Sequence, residues 1–135
     1  MIKYMRRVIF DANFFFPPLQ FKIDVFNEIK SLIGRFEPIV LSTTLEELEK
    51  LLKMKSGKIG KQALSALELA KKCKVMEVDR KSGESYDDVI LRAAKKYNCA
   101  VATNDSELRK KLRKAGIPTI FLRQRAYLQV EGYLQ

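Results

Sequence analysis

The chain is expected to fold as an α/β protein, with a parallel sheet covered by helices on both faces to give three layers. Three observations support this. Five short apolar runs recur along the 135 residues, and stretches of helical periodicity separate them. The runs are mostly continuous rather than alternating, as strands buried on both faces are. Strand–helix alternation produces parallel pairing, because parallel neighbours need a crossover and the crossover is usually a helix. With 47% hydrophobic residues the chain can bury one substantial core and is too apolar to remain disordered.

Taken in order, the first strand is Arg7–Asp11 (RVIFD), and a helix over Ile23–Ile33 ends against Gly34, where a helix C′ glycine belongs. Glu37–Leu41 (EPIVL) is the second strand. Two helices follow, Thr43–Lys55 and Lys61–Lys72, joined by the turn KSGKIG. Lys74–Val78 is the third strand and Ser85–Tyr97 the next helix. Cys99–Thr103 (CAVAT) is the fourth strand. The last helix, Ser106–Ala115, is closed by Gly116 and leads to the fifth strand, Pro118–Leu122 (PTIFL). Residues 7–122 thus form the core of a single domain over 1–135. The tail, Arg123–Gln135, has weak periodicity and is assigned no structure. No apolar run nears the roughly 20 residues of a membrane helix. Asp11 and Asn13 break the apolar start, and no small-residue cleavage site follows, so a signal peptide is not expected. A cytoplasmic protein without membrane contact is the expectation.

Charge and missing residue types narrow the chemistry. There are 26 Lys+Arg against 16 acids, a formal net charge of +10, which favours a polyanionic partner such as nucleic acid. The plainer reading is a lysine-rich protein suited to a hot environment. The count of histidines is zero. That removes imidazole acid–base catalysis, the Ser-His-Asp triad and histidine-ligated zinc together. Cys73 and Cys99 follow no metal-ligand spacing and read as buried structural thiols in a reducing compartment. There is no G-x-G-x-x-G, and GKIGKQ departs from the P-loop pattern at Lys55 and Gln62. Hydrolytic chemistry would have to rest on carboxylates, hydroxyls and lysines, with a hard metal ion.

Doubly wound sheets bind ligands at the carboxyl ends of their strands, where the strand order reverses. Asp11 closes the first strand and Asp105 follows the fourth, so both fall on that rim, although either one taken alone reads more readily as a helix N-cap. In TTLEELEKLL, Glu46 can cap with Thr43 and pair with Lys50, and Glu49 can pair with Lys53. Glu47 has Leu51 four residues on and no such charge partner, so it is the carboxylate aimed at a site, with a capping box to Thr44 as its other reading. In SYDDVILRAAKKY, Ser85 as N-cap puts Asp88 at the capping-box position. Asp87 lies at the edge of the Tyr86, Ile90, Ala93, Ala94 and Tyr97 stripe and points toward the rim. Asp87 is then the ligand, and Asp88 a cap or supporting acid. Four converging carboxylates repel one another. Mg²⁺ or Mn²⁺ relieves that repulsion and activates water for attack on a phosphodiester. The helix RKKLRKAG offers Arg109, Lys110, Lys111, Arg113 and Lys114, either as an RNA-binding surface or only as the solvated face around Leu108, Leu112 and Ala115.

VIFDAN, EEL, YDDVILRAA and VATND, in this order and spacing, resemble the PIN-domain nucleases across Arg7 to Leu122. The resemblance implies a five-stranded parallel sheet and Mg²⁺- or Mn²⁺-dependent hydrolysis of single-stranded RNA. It places the acidic site residues at Asp11, Glu47, Asp87 and Asp105, with Asp11, Asp87 and Asp105 on the metal. The accompanying small polar residues fall on Asn13, Thr103 and Asn104. Two branches fit. VapC-type toxins have this size and these acids, while the PIN nuclease that trims small-subunit ribosomal RNA is nearer in DSELRKKLRKAGIPTIFLR. The stretch Phe14–Pro18 departs from the toxin pattern. The implied partners are RNA, with an antitoxin protein or a pre-ribosomal particle, and a second copy of the chain. Two other classes compete. A haloacid-dehalogenase-type phosphatase would need Asp where Asn13 stands, and a non-catalytic RNA-binding or docking domain would need only the basic helix.

Overall fold

The apolar runs pair into one sheet in the computed structural model, which describes residues 6–16, 24–54, 57–123 and 127–132. The strands are β1 (Arg6–Phe10), β2 (Phe36–Leu41), β3 (Lys74–Met76), β4 (Ala100–Ala102), β5 (Thr119–Arg123) and β6 (Tyr127–Glu131). The helices are α1 (Val25–Ile33), α2 (Ser42–Met54), α3 (Gly57–Ala70), α4 (Tyr86–Tyr97) and α5 (Ser106–Lys114), and a short 3-10 turn covers Ala12–Phe15. The sheet order is β3-β2-β1-β4-β5-β6. The first five strands pair in parallel and β6 runs antiparallel to β5. The order reverses between β1 and β4, the neighbours that define the switch point.

Successive strand residues point to opposite faces, which sorts the core into two layers. Val8 and Phe10 of β1, with Ala100 and Ala102 of β4, pack with Val25, Ile29 and Ile33 of α1, Leu48 of α2 and Ala66, Leu67 and Ala70 of α3. Ile9 and Val101 face the other way, against Val89, Ile90, Ala93 and Ala94 of α4 and Leu108 and Leu112 of α5. Both faces are covered, so the strands read as continuous apolar runs. Phe14 and Phe15 turn under β1, their rings 5.6 and 5.4 Å from that of Phe10. Cys73 and Cys99 are buried free thiols, and burial pushes Cys73 up to about 12. No helix among the described residues is long and apolar enough to cross a membrane.

The sheet is one strand wider than the resemblance implied. Residues of the tail, Tyr127–Glu131, form β6 with only Leu128 fully buried, which is why no period stood out. It is held by its antiparallel ladder to β5 and by Glu131, which pairs with Arg113 at 3.1 Å and Arg109 at 3.9 Å. Helix α3 starts at Gly57 rather than Lys61, so Gly57–Gly60 of the expected turn are helical. Helix α2 starts at Ser42, directly after β2, which puts Thr43 inside the first turn and not at a cap. Ile23, Lys55 and Ser56, residues 17 and 18 of the Phe14–Pro18 stretch, and tail residues 124–126 and 133–135 lie outside the described residues.

Candidate active site

Asp11 is the first residue after β1, and the β1–β4 register that pairs Phe10 with Ala102 sets it beside Thr103. It is only 5% exposed. Thr103, also buried, donates its hydroxyl to Asp11 Oδ2 at 2.7 Å, and the Ala12 N–H donates to Oδ1 at 2.8 Å. Burial dominates these favourable bonds, with smaller repulsion from Asp87 and Asp105, and the Asp11 carboxyl is raised from its ordinary 3.8 to about 6. The same rim is tied together by polar side chains. Thr103 Oγ1 accepts from the Asp105 N–H at 3.1 Å. Asn13 Oδ1 accepts from the Asn104 N–H at 3.3 Å, and Asn104 Oδ1 accepts from the Leu122 N–H at 2.8 Å. The three small polar residues therefore frame the ends of β1, β4 and β5.

Glu47 comes from the second turn of α2, half-buried. Its Oε1 is buried with no hydrogen-bond partner among the described residues, as are the hydroxyls of Thr43 and Thr44 on the turn before it. An unsatisfied buried acceptor costs about 1–3 kcal/mol, and for a charged oxygen more. Burial first, then repulsion by Asp11 and Asp87, raises Glu47 from 4.5 to about 7. The neighbouring Glu46 turns outward to Lys50, 3.6 Å away.

Asp87 and Asp88 follow one another at the start of α4 and do different things. Ser85 and Asp88 form a reciprocal capping box, and Asp88 also lies 3.5 Å from Lys111. Those contacts, led by the Ser85 N–H, hold Asp88 below the usual carboxylate range. Asp87 is raised instead, by burial and then by Asp105, despite opposing attraction to Lys111. Asp105 does cap α5, its Oδ1 accepting from the Glu107 N–H at 2.8 Å and the Leu108 N–H at 3.3 Å. Cap and site were never exclusive, since one oxygen serves the helix.

Four acids from four elements are thus linked by mutual repulsion: Glu47 with Asp11 and Asp87, Asp11 with Asp87 and Asp105, and Asp87 with Asp105. Among the described residues no three acidic or thiol side chains already form a cage around one ion, so an ion at this rim would keep waters beside its carboxylates. The donor set is all carboxylate oxygen, the type that suits Mg²⁺ and Mn²⁺. Glu47 Oε1, buried and unpaired, is a ready acceptor at such a centre.

The basic helix is less free than its sequence suggested. Arg109 is largely covered, with its guanidinium 3.5 Å from the Phe121 ring centroid and Glu131 at 3.9 Å. Arg113 also pairs with Glu131, Lys110 lies 3.8 Å from Glu107, and Lys111 pairs with Asp88. The helical wheel gave Arg109 and Arg113 no partner because β6, whose Glu131 they meet, was invisible to it. In sequence, Lys50 has only a helical salt bridge and Tyr86 only a place in an apolar stripe. The two meet between α2 and α4, with Lys50 Nζ 3.0 Å from Tyr86 Oη. Their adjacency to Glu47 and Asp87 was the available signal.

A mostly parallel α/β sheet with carboxylates near its switch point defines the class, and the chain belongs to the PIN-like domain family, whose model matches residues 8–125. It is 36% identical over 130 residues to ribonuclease VapC4 of Methanocaldococcus jannaschii, covering 95% of this chain and 98% of that protein. It is 29% identical to the rRNA-processing protein FCF1 of Saccharomyces cerevisiae, covering 94% of this chain and 65% of that one. Among solved structures it is similar to the PIN domain endonuclease Utp24, with a TM-score of 0.75 and 30% identity over 96% of this chain and 93% of that one.

Proposed function

We propose that this chain is a Mg²⁺- or Mn²⁺-dependent endoribonuclease that cuts single-stranded RNA with Asp11, Glu47, Asp87 and Asp105 as its acidic site. The observation that carries the reading is the set of four mutually repelling carboxylates at one rim, with a buried, unpaired Glu47 oxygen among them. Relatives named as ribonucleases and an endonuclease of the same fold support it.

Asp11, Asp87 and Asp105 would hold the ion, directly or through its waters, and when bound it supplies the positive charge that acidifies water and neutralises the phosphate in attack. Thr103 fixes the Asp11 carboxylate by its 2.7 Å hydrogen bond, and Asn13 and Asn104 brace the loop after β4. Glu47 titrates near neutrality, where a general base is most effective, so Oε1 takes the proton of the attacking water. Asp88, engaged in its capping box, stays outside the chemistry and steadies the helix that presents Asp87.

The reading is tested by incubating mixed single-stranded RNA with the wild-type protein and Asp11→Asn, in Mn²⁺, Mg²⁺ or EDTA. Cleavage is expected only from the wild type with metal. Equal cleavage by Asp11→Asn, or in EDTA, sinks the proposal. Two cellular roles carry this chemistry, matching the two kinds of relative: a toxin neutralised by an antitoxin protein, and a processing enzyme in a pre-ribosomal particle. Arrest of translation on expression in a foreign host supports the first, and uncut pre-rRNA on depletion supports the second.

A further inference from the structure

We propose that Lys50 and Arg80, gathered on the ring of Tyr86, form a phosphate subsite beside the acidic rim. It would hold an RNA backbone phosphate next to the one being cut, so it rests on the nuclease reading.

Position comes first. Tyr86 is the residue before Asp87 at the start of α4, and Lys50 lies three residues after Glu47, on the same side of α2. Lys50 Nζ donates to Tyr86 Oη at 3.0 Å and lies 5.6 Å from the ring centroid, while the Arg80 guanidinium is 4.7 Å from that centroid. Two cations therefore share one ring, near enough for Arg80 to repel Lys50. Stacking on a ring positions a cation without neutralising it. Among the described residues Arg80 has no carboxylate partner. Lys50 has only Glu46 at 3.6 Å, with both side chains about half exposed, 51% and 52%. An exposed pair of that kind is weak and readily exchanged for another anion.

Need comes second. A phosphodiester approaching four carboxylates is repelled unless neighbouring phosphates are held by cations. The basic helix is less well placed for this, because Arg109 and Arg113 meet Glu131 and Lys111 meets Asp88, each on another element. Lys50 and the Tyr86 ring that carries Arg80 adjoin Glu47 and Asp87 in sequence, and the one carboxylate on Lys50, Glu46, is an exposed neighbour on its own helix. The ring beneath them fixes their spacing, so the bound strand is registered relative to Glu47 and Asp87.

The test uses Lys50→Ala/Arg80→Ala, with Lys50→Arg/Arg80→Lys as the charge-keeping control. Thermal melting checks that both fold. A fluorescent single-stranded oligonucleotide gives Kd by anisotropy at several salt concentrations, and steady-state cleavage gives kcat and KM. The alanine pair is expected to raise Kd and KM roughly tenfold, the loss of one charge-assisted hydrogen bond. Its kcat should be unchanged, and its log–log salt dependence shallower by about 0.7 for each phosphate no longer held. The charge-keeping pair should recover most of the affinity. Unchanged Kd and salt slope overturn the subsite. A fall in kcat with KM held also overturns it, because the residues would then only be fastening α2 to α4. If the wild type binds RNA but cuts none, and the alanine pair still loses affinity and salt slope, the nuclease reading falls and the subsite stands.

Discussion

Replacing Glu47 by Gln should make the protein more stable at alkaline pH and leave it unchanged at acid pH. The side chain keeps its shape and loses its charge. Raising a carboxyl from its ordinary 4.5 to about 7 corresponds to a ceiling of about 3 kcal/mol against the ionised form. Glu47 is only half-buried, so solvent screening reduces this to about 1–2 kcal/mol. The sign follows from proton binding. The folded chain holds the Glu47 proton more tightly than the unfolded chain, so no penalty exists below pH 4.5. The penalty grows as pH rises and is complete once pH passes 7. Melting of wild type and Glu47→Gln in EDTA should therefore nearly coincide at pH 4.5. At pH 8 the variant should melt higher by roughly 3–8 °C, given about 3–4 °C per kcal/mol for a chain of this size. An equal or lower melting temperature at pH 8, or the same gain at pH 4.5, would refute burial and repulsion as the cause. RNA cleavage by the stabilised variant should be lost, the usual conflict between a charged site and a stable fold.

Asp87→Asn should abolish metal-dependent cleavage with stability unchanged or improved, whereas Asp88→Asn should keep most cleavage and lose at most about 1 kcal/mol, the scale of a cap. The reverse pattern in paired rate and melting measurements would put the site residue one position further on. Arg109→Ala removes both the Phe121 stacking and one of the two pairs to Glu131, and should cost about 1–2 kcal/mol. Its amide exchange should accelerate in Tyr127–Glu131 before anywhere else in the sheet, and uniform acceleration would mean β6 is held by its β5 pairing alone.

The strands and helices that position the site were readable because burial on both faces leaves a local mark. Val8–Phe10 and Ala100–Ala102 have no polar residue to spare. Asp11 and Asp105 could be assigned to the rim because strand ends are fixed by those runs. The choice of Asp87 over Asp88 also rested on a local rule, the three-residue spacing of the Ser85–Asp88 box. What escaped the sequence depends on distant partners. Strand β6 has one fully buried side chain, and besides its ladder to β5 it meets α5 through Glu131, a pairing no window of neighbours contains. The freedom of the basic helix was overestimated for the same reason. The start of α2 was misplaced because β2 runs into the helix without an intervening cap residue. The Tyr86 cluster draws Lys50 from α2 and Arg80 from the loop before α4, and an aromatic in an apolar stripe gives no hint of the cations it will carry.

The central claim is that the carboxylates at the β1–β4 switch point are a metal site. Crystals soaked in Mn²⁺ and measured at the manganese absorption edge test it directly. An anomalous peak is expected among the Asp11, Asp87 and Asp105 carboxylates, lost in crystals of Asp11→Asn. No peak at that rim at saturating Mn²⁺, or a peak ligated only by other residues, would contradict the account.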